Sequence, residues 1–263
     1  MNLGIDNKVA LVAAASRGLG KAVALELSKE GARVVICSRS TNAIEQAATD
    51  IAHQTGRDVM GIRCNVTNPD DVRALVTRAV ERFGSVDILV TNAGGPPAGT
   101  VADLTADDFQ KAVELNLMST INLTYAALPH MRKAQWGRIV AITSVSARQP
   151  IEELALSNTA RAGVLGFIKS VSNEFASEGI TANAVCPGYT KTERTVELAR
   201  MFVESGKGTE EDYYAKVNMR VPMQRMGRVD ELAAAVAFLC SARASYITGV
   251  ALPIDGGWVK GLY

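Results

Sequence analysis

Residues 9–27 read VALVAAASRGLGKAVALEL. The first part is a run of apolar residues with no polar alternation, as a strand buried on both faces requires. Small residues and glycines follow, and then an apolar pattern at helical spacing begins. A strand that enters a helix through such a turn aims backbone N–H groups and a helix N-terminus at the carboxyl edge of a sheet. That edge attracts phosphate. Gly18 and Gly20 allow close approach and tight helix packing. The first glycine expected of a dinucleotide turn is replaced by Ala14, whose methyl group crowds either the turn or a pyrophosphate.

The same rhythm continues along the chain. Strands are expected at Lys8–Ala14, Arg33–Ser38, Val59–Cys64, Val86–Val90, Gly137–Thr143, Thr181–Cys186 and Val250–Ile254. Helices are expected at Gly18–Lys29, Thr41–Gln54, Pro69–Phe83, Thr105–Met131, Glu153–Ser177 and Asp230–Cys240. Strands alternating with helices give parallel crossovers and a sheet covered on both sides, an α/β doubly wound fold in a single domain spanning residues 1–263. One segment departs from the rhythm. Residues 189–228 are long, mixed in charge and hold Tyr213 and Tyr214, and are read either as a lid over a binding site or as a surface insertion with small helices.

Composition narrows the function. The 263 residues carry 28 Lys plus Arg and 27 Asp plus Glu, a net charge of +1, with 48% hydrophobic residues. No basic stripe points to nucleic acid. No run of about 18 apolar residues points to a membrane span, and the N-terminus lacks the pattern of a secretory signal. Cys37, Cys64, Cys186 and Cys240 are widely spaced and read as core residues in a reducing, cytoplasmic setting. His53 and His130 are isolated, so no metal site is expected.

The second strand ends in Ser38 and Arg39, where an NAD site places an acidic residue to accept from the ribose hydroxyls. With Arg17 in the first turn, two guanidinium groups can meet a 2′-phosphate, which favours NADP over NAD. On the helix Glu153–Ser177, the residues Ser157, Arg161, Val164, Ile168, Val171 and Phe175 share one face. Four of these six are apolar, so a buried face carries a serine and an arginine at its N-terminal end.

Six stretches together resemble the short-chain dehydrogenase/reductase family over essentially the whole chain. They are AAASRGLG (13–20), CNVTN (64–68), ILVTNAGG (88–95), GRIVAITSVSA (137–147), GITANAVCPGYTKT (179–192) and YITGVALPIDGG (246–257). The branch most resembled is the 3-oxoacyl-carrier-protein reductases. The resemblance implies a Rossmann fold with a seven-stranded parallel sheet, an NADP(H) cofactor, a carbonyl or alcohol substrate, and assembly as a homodimer or homotetramer.

It also implies roles for individual residues. Ser16, Arg17, Gly18, Leu19 and Gly20 form the turn against the cofactor. Asn65, with Val66, stands where the family holds an aspartate beside adenine. Asn92, Ala93 and Gly94 line the adenine ribose, and Pro187, Gly188, Thr190 and Thr192 touch nicotinamide and diphosphate. Asn116 matches the helix asparagine of the catalytic tetrad; with Phe109, Ala112, Val113 and Leu123 it shares an apolar helix face, where a buried amide needs partners. Ser144 matches the serine that holds the substrate carbonyl.

The family's tyrosine falls thirteen residues after that serine and its lysine four further on. Those places hold Ser157 and Arg161. Arg161 keeps a fixed charge and donors for the ribose, whereas an aliphatic hydroxyl is a far weaker acid than a phenol. Two readings follow: an NADP-dependent oxidoreductase with an Asn116–Ser144–Ser157–Arg161 site, or a catalytically silent nucleotide-binding or scaffold protein on the same fold. Retained polar groups on buried faces favour the first, because unpaired buried polar groups cost about 1–3 kcal/mol each. Glu152, Glu153, Tyr189, Tyr213 and Tyr214 are the alternative proton donors near the expected cleft.

Overall fold

The computed structural model describes residues 2–262. Its centre is a seven-stranded sheet in the order β3-β2-β1-β4-β5-β6-β7, parallel throughout. The strands are β1 (Val9–Val12), β2 (Arg33–Ser38), β3 (Val59–Arg63), β4 (Ile88–Thr91), β5 (Gly137–Ile142), β6 (Ile180–Pro187) and β7 (Ala251–Ile254). All seven fall within or beside the runs expected from the sequence. Chain order reverses between β1 and β4, and this switch opens the crevice at the carboxyl edge where ligands bind in open α/β sheets.

Helices α1 (Gly18–Lys29), α2 (Thr41–Thr55) and α9 (Val229–Leu239) cover one face, and α3 (Pro69–Phe83), α5 (Ser119–Ala134) and α6 (Ala155–Phe175) the other. Successive strand residues point to opposite sides. Ala10 and Val12 therefore join the α1/α2/α9 core, while Leu11 and Ala13 join the other. Leu11, Leu89 and Ile139 are wholly buried, each contributing about 1.5–3 kcal/mol of hydrophobic stabilisation. All four cysteines are buried and free.

Local signals fix the helix ends. Asn68 caps α3 by accepting from the Asp70 N–H at 2.9 Å, and Pro69 follows at the first helical position. Gly56 and Gly84 close α2 and α3 in the left-handed conformation.

Several expected elements are refined. The helix expected at Thr105–Met131 is divided into α4 (Ala106–Val113) and α5 by a π-helical turn at Glu114–Met118. Hydrophobic periodicity does not register one extra residue in a turn. The 189–228 segment contains α7 (Glu193–Glu204) and α8 (Glu210–Asn218). A bridge between Thr190 and Gly227 joins its two ends.

The first strand stops at Val12, two residues short of expectation, because Ala14 takes φ +48°. The Ala14 carbonyl accepts from Asn92 Nδ2 at 3.2 Å, which ties this backbone in place. A left-handed alanine carries about 1–2 kcal/mol of strain, partly offset by the greater unfolded-state entropy of glycine. Ala14→Gly should therefore stabilise the protein by up to about 1 kcal/mol, seen as a higher urea midpoint at unchanged slope. A lower midpoint would show that the methyl group packs favourably.

Candidate active site

The turn after β1 leads into α1 with Arg17 as its N-cap in extended conformation and no side chain capping the helix. No acidic residue stands in its first turn. The helix therefore offers its N–H groups and positive dipole end to an outside anion. Gly20 is required for packing, since a Cβ there would lie 2.6 Å from the Ala14 carbonyl oxygen. Gly94 and Gly95 border open space, so the loop after β4 leaves room for a ligand beside Asn92.

At the second and third strands, Ser38 donates to the Ser40 carbonyl at 3.1 Å, and Arg39 is exposed at the strand end. Asn65 accepts from the Thr67 N–H and hydroxyl at 3.3 and 3.0 Å, and its own N–H donates to Asp71. This turn beside the ends of β2 and β3 carries the half-buried Asn65 and the buried Val66. Arg17 pairs with Glu197 of α7 at 3.1 Å. Both partners are substantially exposed, so the pair is worth at most about 1 kcal/mol. Glu193 Oε2 stands 3.6 Å from where a Cβ on Gly18 would lie. Two carboxylates of α7 thus lie close to the turn that leads into α1.

On the other side of the crevice, Asn116 sits in the π turn, as π turns often mark functional sites. Its Nδ2 donates to the Gly94 carbonyl at 3.0 Å, joining the loop after β4 to the helix. Its Oδ1 is buried and accepts no hydrogen bond. A buried amide oxygen with no donor calls for a water or a ligand group.

The end of β5 leads into a short 3₁₀ turn, Val145–Ala147, capped by Ser144, whose Oγ accepts from the Ser146 N–H at 3.1 Å. The Ser144 hydroxyl hydrogen is left to donate elsewhere. Ser146 Oγ lies 2.9 Å from Ser157 Oγ. The sequence reading missed Ser146. It repeats the serine at an i, i+2 spacing, but only the turn geometry brings it to α6.

Arg161 lies one helical turn beyond Ser157, and each is 8% exposed. Its Nη1 donates to the carbonyls of Thr143 at 2.9 Å and Ile142 at 3.3 Å, at the carboxyl end of β5. No carboxylate among the described residues pairs with it. Burial pulls the guanidinium down to about 10, so it remains cationic at neutral pH. Because burial disfavours its charged form, that cost is fully present at neutral pH and relaxes only as pH rises above about 10. Cys186 lies nearby on β6, held by Thr143 at 3.3 Å, and burial raises its thiol.

The strand β6 ends at Pro187. Gly188 packs against Asp255, where a Cβ would come within 2.8 Å. Thr190 is buried, and Thr192 opens α7. The alternative proton donors are engaged or outlying. Tyr189 stacks on Trp258 at 4.5 Å and its hydroxyl accepts from Arg220 at 3.4 Å. Tyr213 packs against Phe202 and Tyr214 within the 189–228 segment. Glu152 and Glu153 are exposed, with the Glu153 carbonyl accepting from the Gly99 N–H at 2.7 Å. A groove of about 530 Å³ at the opposite sheet edge, near Trp136, Arg138 and Thr181, contains none of the candidate site residues.

The fold and the turn leading into α1 define a doubly wound protein of the nucleotide-binding type. The family model described as Enoyl-(Acyl carrier protein) reductase matches residues 13–259, and the chain belongs to the short-chain dehydrogenase/reductase family. The 3-oxoacyl-[acyl-carrier-protein] reductase FabG of Salmonella typhimurium is 37% identical over 97% of this chain and 98% of its own. L-Sorbose reductase from Gluconobacter frateurii, complexed with NADPH and L-sorbose, superposes with a TM-score of 0.96 at 32% identity over the full length of both chains. A point variant of actinorhodin polyketide ketoreductase with NADPH gives 0.92 at 34% identity, covering 97% of this chain and 98% of that one.

Proposed function

We propose that the protein is an NADP(H)-dependent reductase of a small carbonyl compound, working with Asn116, Ser144, Ser157 and Arg161. The observation that carries this reading is the inward-facing Ser157–Arg161 pair. A site without a ligand would not be expected to retain a buried guanidinium that has no carboxylate partner, since a lone buried charge is strongly destabilising. A bound NADP(H) supplies hydride chemistry at its nicotinamide.

The residues present fit that cofactor. Ser16–Gly20 and the uncapped N-terminus of α1 take the diphosphate. Ser38 and Arg39, with Arg17 once released from Glu197, take the 2′-phosphate. Asn65, Val66, Asn92, Ala93 and Gly94 border the adenosine, and Pro187, Gly188, Thr190, Thr192 and Arg161 the nicotinamide half. Ser144 donates its free hydroxyl hydrogen to the substrate oxygen. Asn116 braces the cleft floor through Gly94. Relatives and solved structures that reduce carbonyl groups and hold NADPH support the assignment.

The alternative reading, a silent nucleotide-binding or scaffold protein, rests on the loss of the tyrosine and of the first-turn glycine. Titrating NADPH and NADH by fluorescence separates the two. Saturable NADPH binding, with Arg39→Ala weakening it about tenfold and leaving NADH nearly unchanged, is expected from one lost charge-assisted contact. No binding of either nucleotide would remove the enzyme reading, and equal weakening of both would retire the 2′-phosphate role.

We further propose assembly as a homodimer or homotetramer in a cytoplasmic setting, with α5 and α6 at one interface. Tyr125 on α5 is largely exposed and meets Phe167 of α6 edge-on at 6.3 Å. Among the described residues no helix is long and apolar enough to cross a membrane.

A further inference from the structure

We propose that the groove at the amino edge of the sheet is a second ligand site, one that takes a small aromatic carboxylate between Arg138, Thr181 and Tyr246. It stands independently of the reductase reading, because none of the cleft residues lines it.

The groove holds about 530 Å³, within the roughly 300–1,000 Å³ usual for small-molecule sites. It lies where β5 and β6 begin. Arg138 is the second residue of β5 and Thr181 the second of β6, and the two are partners in register. Their side chains therefore leave the same face of the sheet side by side. The candidate cleft lies at the other end of these strands, about 16 Å from Arg138 along β5.

Arg138 is buried, and backbone groups alone hold its guanidinium. Nε donates to the Ser241 carbonyl at 3.0 Å, and Nη1 to the Gly137 and Gly179 carbonyls at 2.8 and 3.1 Å. Nη2 donates to no group among the described residues. No carboxylate among them pairs with Arg138 either. Asp87, just before β4, accepts from the Val9 N–H and from Ser85 and faces Lys8, while Glu178 accepts from Arg132 at 2.8 Å. A buried cation without a counter-ion is costly, and an anion in the groove offsets that cost.

Thr181 supplies the second donor. Its hydroxyl oxygen is buried and has no hydrogen-bond partner among the described residues. A buried polar group left in this state calls for one. A carboxylate brings one oxygen for Nη2 of Arg138 and one for the Thr181 hydroxyl. Both are charge-assisted hydrogen bonds, the stronger class.

Much of the remaining wall is apolar or aromatic. The Trp136 ring lies 4.5 Å from the Arg138 guanidinium, Ala242 lines the floor, and Tyr246 is wholly exposed with no ring contact among the described residues. An aromatic body on the carboxylate buries these surfaces, which a bare inorganic anion leaves wet.

The chain has two tryptophans, Trp136 and Trp258. Trp258→Phe leaves Trp136 as the only indole, so its fluorescence reports on the groove. Nitroaromatic rings quench indole on contact. 4-Nitrobenzoate should quench this variant saturably, and its neutral analogue 4-nitrobenzamide should bind at least about tenfold more weakly, the loss of one charge-assisted contact. In the same background, Thr181→Val should weaken 4-nitrobenzoate about fivefold and Arg138→Met at least about tenfold. Arg138 also ties three backbone carbonyls together. If Arg138→Met does not fold, the amide comparison and Thr181→Val, which only removes an unpaired hydroxyl, decide between the outcomes. Benzoate should displace the quencher and inorganic phosphate should not. Quenching that rises linearly without saturation, equal affinity for the amide, displacement by phosphate, or unchanged binding by Thr181→Val would overturn the proposal.

Discussion

Ser157→Tyr combined with Arg161→Lys should raise the rate of reduction of a saturated ketone by about 10²–10⁴-fold, the usual contribution of a positioned general acid. The substitution restores a phenol where the backbone of α6 already faces the cleft, next to a cation that lowers the phenol's pKa. Ser157 lies close to Ser146, so the new ring must project toward the crevice rather than into the 3₁₀ turn. The measurement is NADPH consumption with cyclohexanone, alongside NADPH affinity. An unchanged rate with cofactor bound would mean that the cleft holds its substrate carbonyl away from position 157.

Arg161→Met should lower kcat/KM by about 10²–10³-fold, the effect of removing one well-placed donor from a charged site. Its effect on stability should be far smaller. The variant loses charge-assisted bonds to the Ile142 and Thr143 carbonyls, yet it also removes a buried cation with no carboxylate partner. These oppose each other, so the thermal midpoint should move by only a few degrees, as for a change near 1 kcal/mol. Arg161→Lys should restore part of the activity, because charge and reach to the ribose survive. A variant that loses stability and activity in parallel, with no rescue by lysine, would assign Arg161 a structural role alone.

Much of this architecture is legible from the chain because a parallel sheet with both faces covered imposes two simple patterns. VALV and VVIC are apolar throughout, and every helix on the sheet repeats its apolar residues at helical spacing. The polar pair on α6 is visible for the same reason: a serine and an arginine interrupt a face that is otherwise Val, Ile and Phe. Their burial in the structure follows from α6 packing against β5 and β6.

Other features depend on contacts between distant parts of the chain. The π turn at Glu114–Met118 leaves the apolar spacing nearly intact, so Asn116 reads as a residue of one long helix. Hydroxyl hydrogen bonds from Thr120 at 2.9 Å and Ser119 at 3.5 Å reach the Asn116 carbonyl, and these depend on backbone path rather than on pattern. Ser146 becomes part of the site only because a 3₁₀ turn rotates it toward α6. The pairing of Arg17 with Glu197 spans 180 positions in sequence, and nothing local announces it. It also modifies the simple picture of two arginines waiting for a 2′-phosphate. On the proposed NADP(H) reading, Arg17 exchanges a carboxylate for the phosphate, which would make helix α7 part of cofactor entry.

The central claim is that Arg161 stands in for the family lysine beside the nicotinamide sugar. A crystal structure of the NADPH complex tests it most directly. The account predicts a guanidinium nitrogen of Arg161 within hydrogen-bonding distance of the nicotinamide ribose hydroxyls, with Ser157 Oγ facing the space above nicotinamide C4. A nicotinamide ribose held by other residues, with Arg161 bonded only to the Ile142 and Thr143 carbonyls, would contradict it.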